Sequence, residues 1–257
     1  MATNNSFRKF LKRLPGVRPF VLCCRKLLYR WSGGACHAQQ YYQADLIKGL
    51  GDFQRQSDIS DHLNTLFALA LEAQPRLIVE LGTRGGESTR ALLSASSLTG
   101  ATMLSVDIED CSGVNVPFRE RWNFLKADDI VFGQREFAPW CAARGLKPEI
   151  DVLFIDTSHE YEHTRQEIAV WSPLLAERGV MIFHDTNMGG GVYARLDGSV
   201  GHGWDNQRGV IRAVEEFLGR SYDENDSFVD VAKNFLVVHH PYCNGLTVLK
   251  KIPEARI

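Results

Sequence analysis

Residues 77–89, LIVELGTRGGEST, constrain this chain more than any other stretch. Leu77 to Leu81 is a short apolar run containing the β-branched pair Ile78 and Val79, the pattern of a buried strand. Gly82, Gly85 and Gly86 then give a turn without bulky Cβ atoms, where a ligand can approach the backbone. From Glu87 onward, Ser88, Thr89, Arg90, Ala91, Leu92 and Leu93 read as a helix, so its first amide groups face the same crevice. Strand, glycine turn and helix in this order open a nucleotide-type site at the carboxyl edge of a parallel sheet. The spacing is not G-x-G-x-x-G, because Glu80 stands where the first glycine would be. An acid there suits a cationic or hydroxyl-rich ligand better than a pyrophosphate. Taken alone, the same residues would also serve as an ordinary glycine-rich βα turn.

The rest of the chain alternates helix and strand patterns around this turn. Residues 58–71 carry apolar residues at helical spacing, with Ser57 as a candidate N-cap and Pro75 ahead of the first strand. A second strand is expected over 101–107 and ends on Asp107, about 25 residues after Gly82, where an acid reaches ribose hydroxyls in a doubly wound sheet. Residues 122–126 give a short third strand. Asp128 and Asp129 follow it, either as ligand acceptors or as the N-cap of the next helix. Residues 132–144 read as a helix that Pro139 kinks or splits, with Gly145 as its stop. The fourth strand, 150–156, ends on Asp156 and is followed by Thr157, Ser158 and His159. The fifth, 179–185, ends on His184 and Asp185. Glu80, Asp107, Asp156 and Asp185 thus all end strands on one edge, which solvated loop charge does not explain.

Residues 186–207 hold six glycines with Tyr193, His202 and Trp204 among them. A loop of this length directly after a strand-end acid reads as a substrate-covering flap. A helix is expected over 210–218. Strand candidates at 227–231, 235–238 and 246–249 follow, with Asn244-Gly245 as a tight turn before the last. His163 takes no role in this reading. His239 and His240 fall in an expected surface loop.

At 257 residues the chain accommodates one α/β domain with an appendage. Its net charge of −2 gives no electrostatic footprint for nucleic acid. No run approaches the roughly 18 apolar residues of a membrane span. Phe20 to Cys24 is too short for a secretion signal, and Arg25-Lys26 ends it. The six cysteines form no paired C-x-x-C pattern, so reduced thiols and a cytoplasmic setting are expected. Residues 1–56 read as a basic helical appendage: Arg8, Lys9, Lys12, Arg13, Arg18, Arg25, Lys26 and Arg30 all precede the first acid, Asp45. Such a segment is a lid, a homo-oligomer contact or a docked helical pair with solvated charges.

Four stretches, VELGTRGGEST, VDI, LFIDTSHEYEHTRQEIAVW and GVMIFHDT, resemble the class I S-adenosylmethionine (SAM) methyltransferases. The likeness is greatest to the small-molecule O-methyltransferases that include natural-product sugar methyltransferases and the cephalosporin-hydroxylase-like group. It implies a Rossmann-like, doubly wound, seven-stranded sheet with its last strand antiparallel, over a methyltransferase domain of residues 57–257. Residues 227–231 are then the surplus strand candidate. The resemblance also implies SAM contacts at Glu80, Gly82, Thr83, Gly86, Ser88, Asp107, Ile108, Asp128, Asp129 and Asp156. In the sugar-methylating relatives two strand-end acids hold a divalent metal, and a His three residues after the first is the base. That pattern falls on Asp156, Asp185 and His159. Where those relatives carry an acid before the second Asp, this chain has His184, which is a second candidate base and a candidate metal ligand. A histidine there suits Mn²⁺ or Fe²⁺ better than Mg²⁺.

Residue types fit the chemistry. Methyl transfer from a sulfonium needs oxygen, carbon and sulfur in line, a base near neutral pKa to take the hydroxyl proton, and gains from a metal that acidifies that hydroxyl. The expectation is SAM-dependent methylation of a small hydroxylated molecule, with Mg²⁺ or Mn²⁺ as a candidate second cofactor. Two other readings stand beside it. An NAD-dependent oxidoreductase would use the same sheet, but Glu80 opposes it. A non-catalytic partner protein on this fold would leave the strand-end acids without purpose.

Overall fold

The computed structural model describes residues 57–188 and 208–253, together with the backbone of 192–194 and 200–202. The basic segment 1–56 and most of the expected flap lie outside the described residues. A short 3₁₀ turn at Ser60–His62 leads into helix α1 (Leu63–Ala73), followed by β1 (Leu77–Leu81), α2 (Glu87–Thr99), β2 (Thr102–Asp107) and β3 (Trp122–Lys126). Helices α3 (Asp129–Arg135) and α4 (Phe137–Ala142), strand β4 (Ile150–Ile155), helix α5 (Tyr161–Trp171) and strand β5 (Leu175–His184) come next. A two-stranded ribbon, β6 (Val192–Ala194) and β7 (Val200–His202), precedes α6 (Gly209–Leu218). Strands β8 (Phe228–Ala232), β9 (Phe235–His240) and β10 (Leu246–Lys251) close the chain.

Eight strands form one sheet in the order β3-β2-β1-β4-β5-β10-β9-β8. β1 to β5 pair in parallel, while β10 is antiparallel to both β5 and β9. The sheet therefore has one strand more than the seven expected. The surplus candidate at 227–231 is a real edge strand, paired antiparallel to β9. An edge position explains its ambiguous sequence: Val229 and Val231 face outward and are exposed.

Side-chain alternation along the strands sorts the core into two layers. Leu77, Val79 and Leu81 of β1 join Leu104, Val106, Leu153, Ile155, Met181 and Phe183 under α3 to α6, where Trp171 packs against Phe132 and Phe137. Ile78, Met103, Val152, Phe154, Val180 and Ile182 pack under α1 and α2. Glu80, Ser105 and His184 continue this second parity, so the polar groups at the strand ends point toward the α1–α2 layer.

Three local expectations change. Ser57 does not cap α1; the 3₁₀ turn intervenes, and the helix starts at Leu63 without a side-chain cap. The break in residues 132–144 falls at Glu136, and Pro139 sits in the first turn of α4, where its missing N–H leaves no bond unmade. His239 and His240 belong to β9 rather than a surface loop. His239 is buried, stacks on Phe228, and bonds Thr247 Oγ1 at 2.8 Å and the Glu224 carbonyl at 2.9 Å.

Candidate active site

The glycine turn is shaped from beneath. Glu80 has 0% exposure and accepts hydrogen bonds from Ser88 Oγ (2.7 Å), Thr89 Oγ1 (2.7 Å) and Ser105 Oγ (2.6 Å). Burial pushes its carboxyl up to about 7, against the pull of those three hydroxyls. Glu80 and Ser88 thus tie β1 to α2 and β2. Asp107 sits opposite, with Oδ2 accepting from the Thr83 and Arg84 amides (2.7 and 3.2 Å) and Oδ1 from the Glu109 amide (2.8 Å). The turn and the end of β2 therefore fix each other. Thr83 Oγ1 is buried without a partner among the described residues. Ile108, next to Asp107, is 70% exposed, an apolar surface beside a polar anchor.

Gly82 links this end of the sheet edge to the next. Its φ is +86°, and a Cβ there would stand 2.0 Å from the Asp156 carbonyl oxygen. Gly82 N–H donates to the Val106 carbonyl (2.9 Å), and Asp156 N–H to the Leu81 carbonyl (2.9 Å). The glycine is thus needed for close packing of two strand ends. Gly86, with φ +76°, faces Val114 in the same way. Asp128 is the N-cap of α3, accepting from Val131 N–H at 2.9 Å. Asp129 turns inward, within 3.3 Å of His163.

At the ends of β4 and β5, four groups converge. His159 Nε2 lies 2.9 Å from Asp185 Oδ2 and 3.4 Å from Asp156 Oδ1. His184 Nδ1 lies 3.3 Å from Asp185 Oδ2 and 3.4 Å from Asp156 Oδ1. His184 Nε2 donates to the Cys243 carbonyl at 3.1 Å, which turns Nδ1 toward the carboxylates. Asp185 Oδ1 is buried without a partner among the described residues. Burial alone would lower both imidazoles, but the facing Asp185 and Asp156 charges outweigh it: His159 is raised to about 10 and His184 well above its ordinary value. The histidines in turn hold both carboxyls below their ordinary range despite burial.

Backbone strain accompanies the convergence. His159 (φ +64°) and Asp185 (φ +60°) are both left-handed, a conformation that bulky residues keep only when the surroundings impose it. Gly209, at the start of α6, supplies part of that constraint: a Cβ there would stand 2.2 Å from the His159 carbonyl oxygen. His62 lies under His184, with ring centroids 5.8 Å apart, and donates through Nε2 to the Tyr242 carbonyl. Burial and the His184 charge lower it to about 3, so it packs there as a neutral ring. Sequence reasoning missed Gly209, His62 and the Cys243 carbonyl. Only Gly209, ahead of an amphipathic helix, left any signal.

Residues 79–186, which span both halves of this edge, match the family model described as a methyltransferase domain. Over these residues the chain is similar to a methyltransferase domain. A comparison with curated proteins finds no match. Among solved structures, cofactor-bound Rv0187 from MTB aligns over 82% of this chain and 89% of that one, with 17% identity and a TM-score of 0.51. The O-methyltransferase TomG of tomaymycin synthesis, from Streptomyces achromogenes, aligns over 82% and 91% with 17% identity and a TM-score of 0.50. The MycE methyltransferase of the mycinamycin pathway, solved with Mg, SAH and mycinamycin VI, has 18% identity and a TM-score of 0.50. The alignment with MycE covers 83% of this chain but 54% of MycE. At such identities the likeness is one of fold. No helix among the described residues is long and apolar enough to cross a membrane.

Proposed function

We propose that this methyltransferase domain transfers a methyl group from SAM to a hydroxyl of a small molecule, a sugar or natural-product alcohol, with His159 as the base. One observation carries the reading: His159, His184, Asp156 and Asp185 meet within 3.4 Å contacts at the strand edge beside the glycine turn.

The residues fit both groups that the chemistry needs. For SAM, Asp107 is held in place for ribose hydroxyls, Ile108 offers an apolar face for the adenine, and the buried Thr83 hydroxyl lacks a partner. Glu80 has no exposed surface, so in this reading it and Ser88 shape the turn rather than touch the ligand. Asp128, engaged as a helix cap, and Asp129, turned toward His163, are not used for SAM. For a divalent metal, Asp156 Oδ1, Asp185 Oδ2 and His184 Nδ1 are close enough to share one ion. The Cys243 carbonyl orients the imidazole as an outer partner commonly does for a ligating histidine. An imidazole with two carboxylates favours Mn²⁺ or Fe²⁺ over Mg²⁺.

SAM supplies an electrophilic methyl on a sulfonium, and a divalent cation supplies positive charge that acidifies a neighbouring hydroxyl. His159 takes the hydroxyl proton as the oxygen–carbon bond forms and the carbon–sulfur bond breaks, leaving S-adenosylhomocysteine and a methyl ether. Facing two bare carboxylates, His159 keeps its own proton at neutral pH. A cation held by Asp156 and Asp185 would compensate their charge and free His159 to accept one, which would couple base and metal through the same two acids. Incubation with SAM and a panel of hydroxylated compounds, with and without EDTA, tests the reading. Release of S-adenosylhomocysteine that EDTA suppresses and Mn²⁺ or Mg²⁺ restores is expected. Full activity in excess EDTA would leave Asp156 and Asp185 as hydrogen-bonding residues only.

A further inference from the structure

We infer that Asp129, His163 and Glu167 form a second divalent-cation site, of the zinc class, which pins α3 to α5 behind the strand edge. Asp129 is the first residue of α3. His163 and Glu167 lie one turn apart on α5, on the same helix face. His163 Nε2 is 3.3 Å from Asp129 Oδ1 and 3.6 Å from Glu167 Oε1, and the three residues offer donor atoms all within 4.8 Å of one another. Ligands 2.0–2.1 Å from a tetrahedral zinc stand about 3.4 Å apart, so closing this cluster on an ion requires little movement.

A plain ion pair leaves too much unexplained. Two buried carboxyls face a single imidazole. Asp129 Oδ2 and Glu167 Oε2 are both buried and unpartnered among the described residues. Orphaned buried oxygens are costly; a dication would give both a partner. The outer partner is in place, since Thr157 Oγ1 donates to Glu167 Oε1 at 2.7 Å, the kind of bond that orients a ligating carboxylate. The His163 side chain is 28% exposed, which gives an ion an entry path and a place for a water ligand. Thr157 directly follows Asp156, so the ion would brace the segment that carries His159.

Full-length, metal-stripped protein titrated with Zn²⁺ against a chromophoric chelator tests this. The background is Asp185→Asn, which weakens the β4–β5 cluster but leaves the second one intact. Asp185→Asn should bind one zinc per chain more than Asp185→Asn/Glu167→Gln, or bind it at least 100-fold more tightly. Zinc should raise the Tm of the single variant and fail to do so in the double variant. Should the double variant fold poorly, Asp185→Asn/His163→Gln gives the same comparison at a partly exposed position. Equal zinc stoichiometry and affinity in the single and double variants would overturn the inference.

Discussion

At the β1–β2 end of the strand edge, the chain satisfies its own acids. Glu80 takes three hydroxyls and Asp107 takes three backbone amides. At the β4–β5 end, two acids and two histidines face each other, two of the four in left-handed backbone, with one buried carboxylate oxygen unpartnered among the described residues. In the proposed function the first end, braced by its own hydrogen bonds, is the one that receives SAM. The second is a set of charges held together for a partner that balances them. Binding and chemistry are thus separated in this proposal along one sheet edge, and substitutions at the two ends should have different signatures.

The largest effect is expected from Asp185→Ala, which removes a common partner of both histidines and a proposed metal ligand at once. Turnover should fall about 10⁴-fold, at the upper end of what loss of general-base catalysis costs, with SAM affinity nearly unchanged. His159→Ala should lower kcat by roughly 10²–10⁴, again with SAM affinity kept; steady-state kinetics beside calorimetry measures both. If His184→Ala does this and His159→Ala does not, the two histidines exchange roles.

Gly82→Ala breaks the separation itself. Its Cβ would collide with the Asp156 carbonyl and its φ disfavours a side chain, so one methyl group should damage both ends. Weaker SAM binding and slower turnover should appear together, roughly tenfold or more each, where Asp185→Ala shows only the second.

The smallest effect is a pH signature at Glu80. Its carboxyl titrates near 7 in the fold against an ordinary 4.5, so the folded state binds the proton more tightly. Stability contributed by the protonated form is present below pH 4.5 and is lost as pH rises through about 7. Denaturant unfolding should show wild type losing roughly 3 kcal/mol relative to Glu80→Gln between those limits. Parallel pH profiles for the two proteins would mean that Glu80 is not buried in this way.

Much of this arrangement was legible in the sequence, because apolar runs ending in acids fix both strand identity and strand edge. Asp156 and Asp185 were expected as the last residues of adjacent strands, and each directly follows its strand, β4 or β5. What sequence could not carry was contact between distant segments. The carbonyl of Cys243 that orients His184 is backbone, so no residue type announces it. His239 looked like loop because a polar pair precedes Pro241, yet Phe228 and Thr247 bury it from neighbouring strands. His163 had no role in the sequence reading, and the fold brings Asp129 of α3 against it. Strand β8 was discounted because the resemblance implies seven strands, yet it pairs with β9 at the sheet edge.

Calorimetric titration with SAM is the most direct test of the claim that binding sits at one end of the edge and chemistry at the other. Wild type and Asp185→Ala should bind one SAM per chain with affinities within about twofold. Asp107→Ala should bind at least tenfold more weakly, the loss expected when hydrogen bonds to a charged group, about 1.5–3 kcal/mol each, are removed. NADH binding in place of SAM, or SAM affinity that follows Asp185 and ignores Asp107, would contradict it.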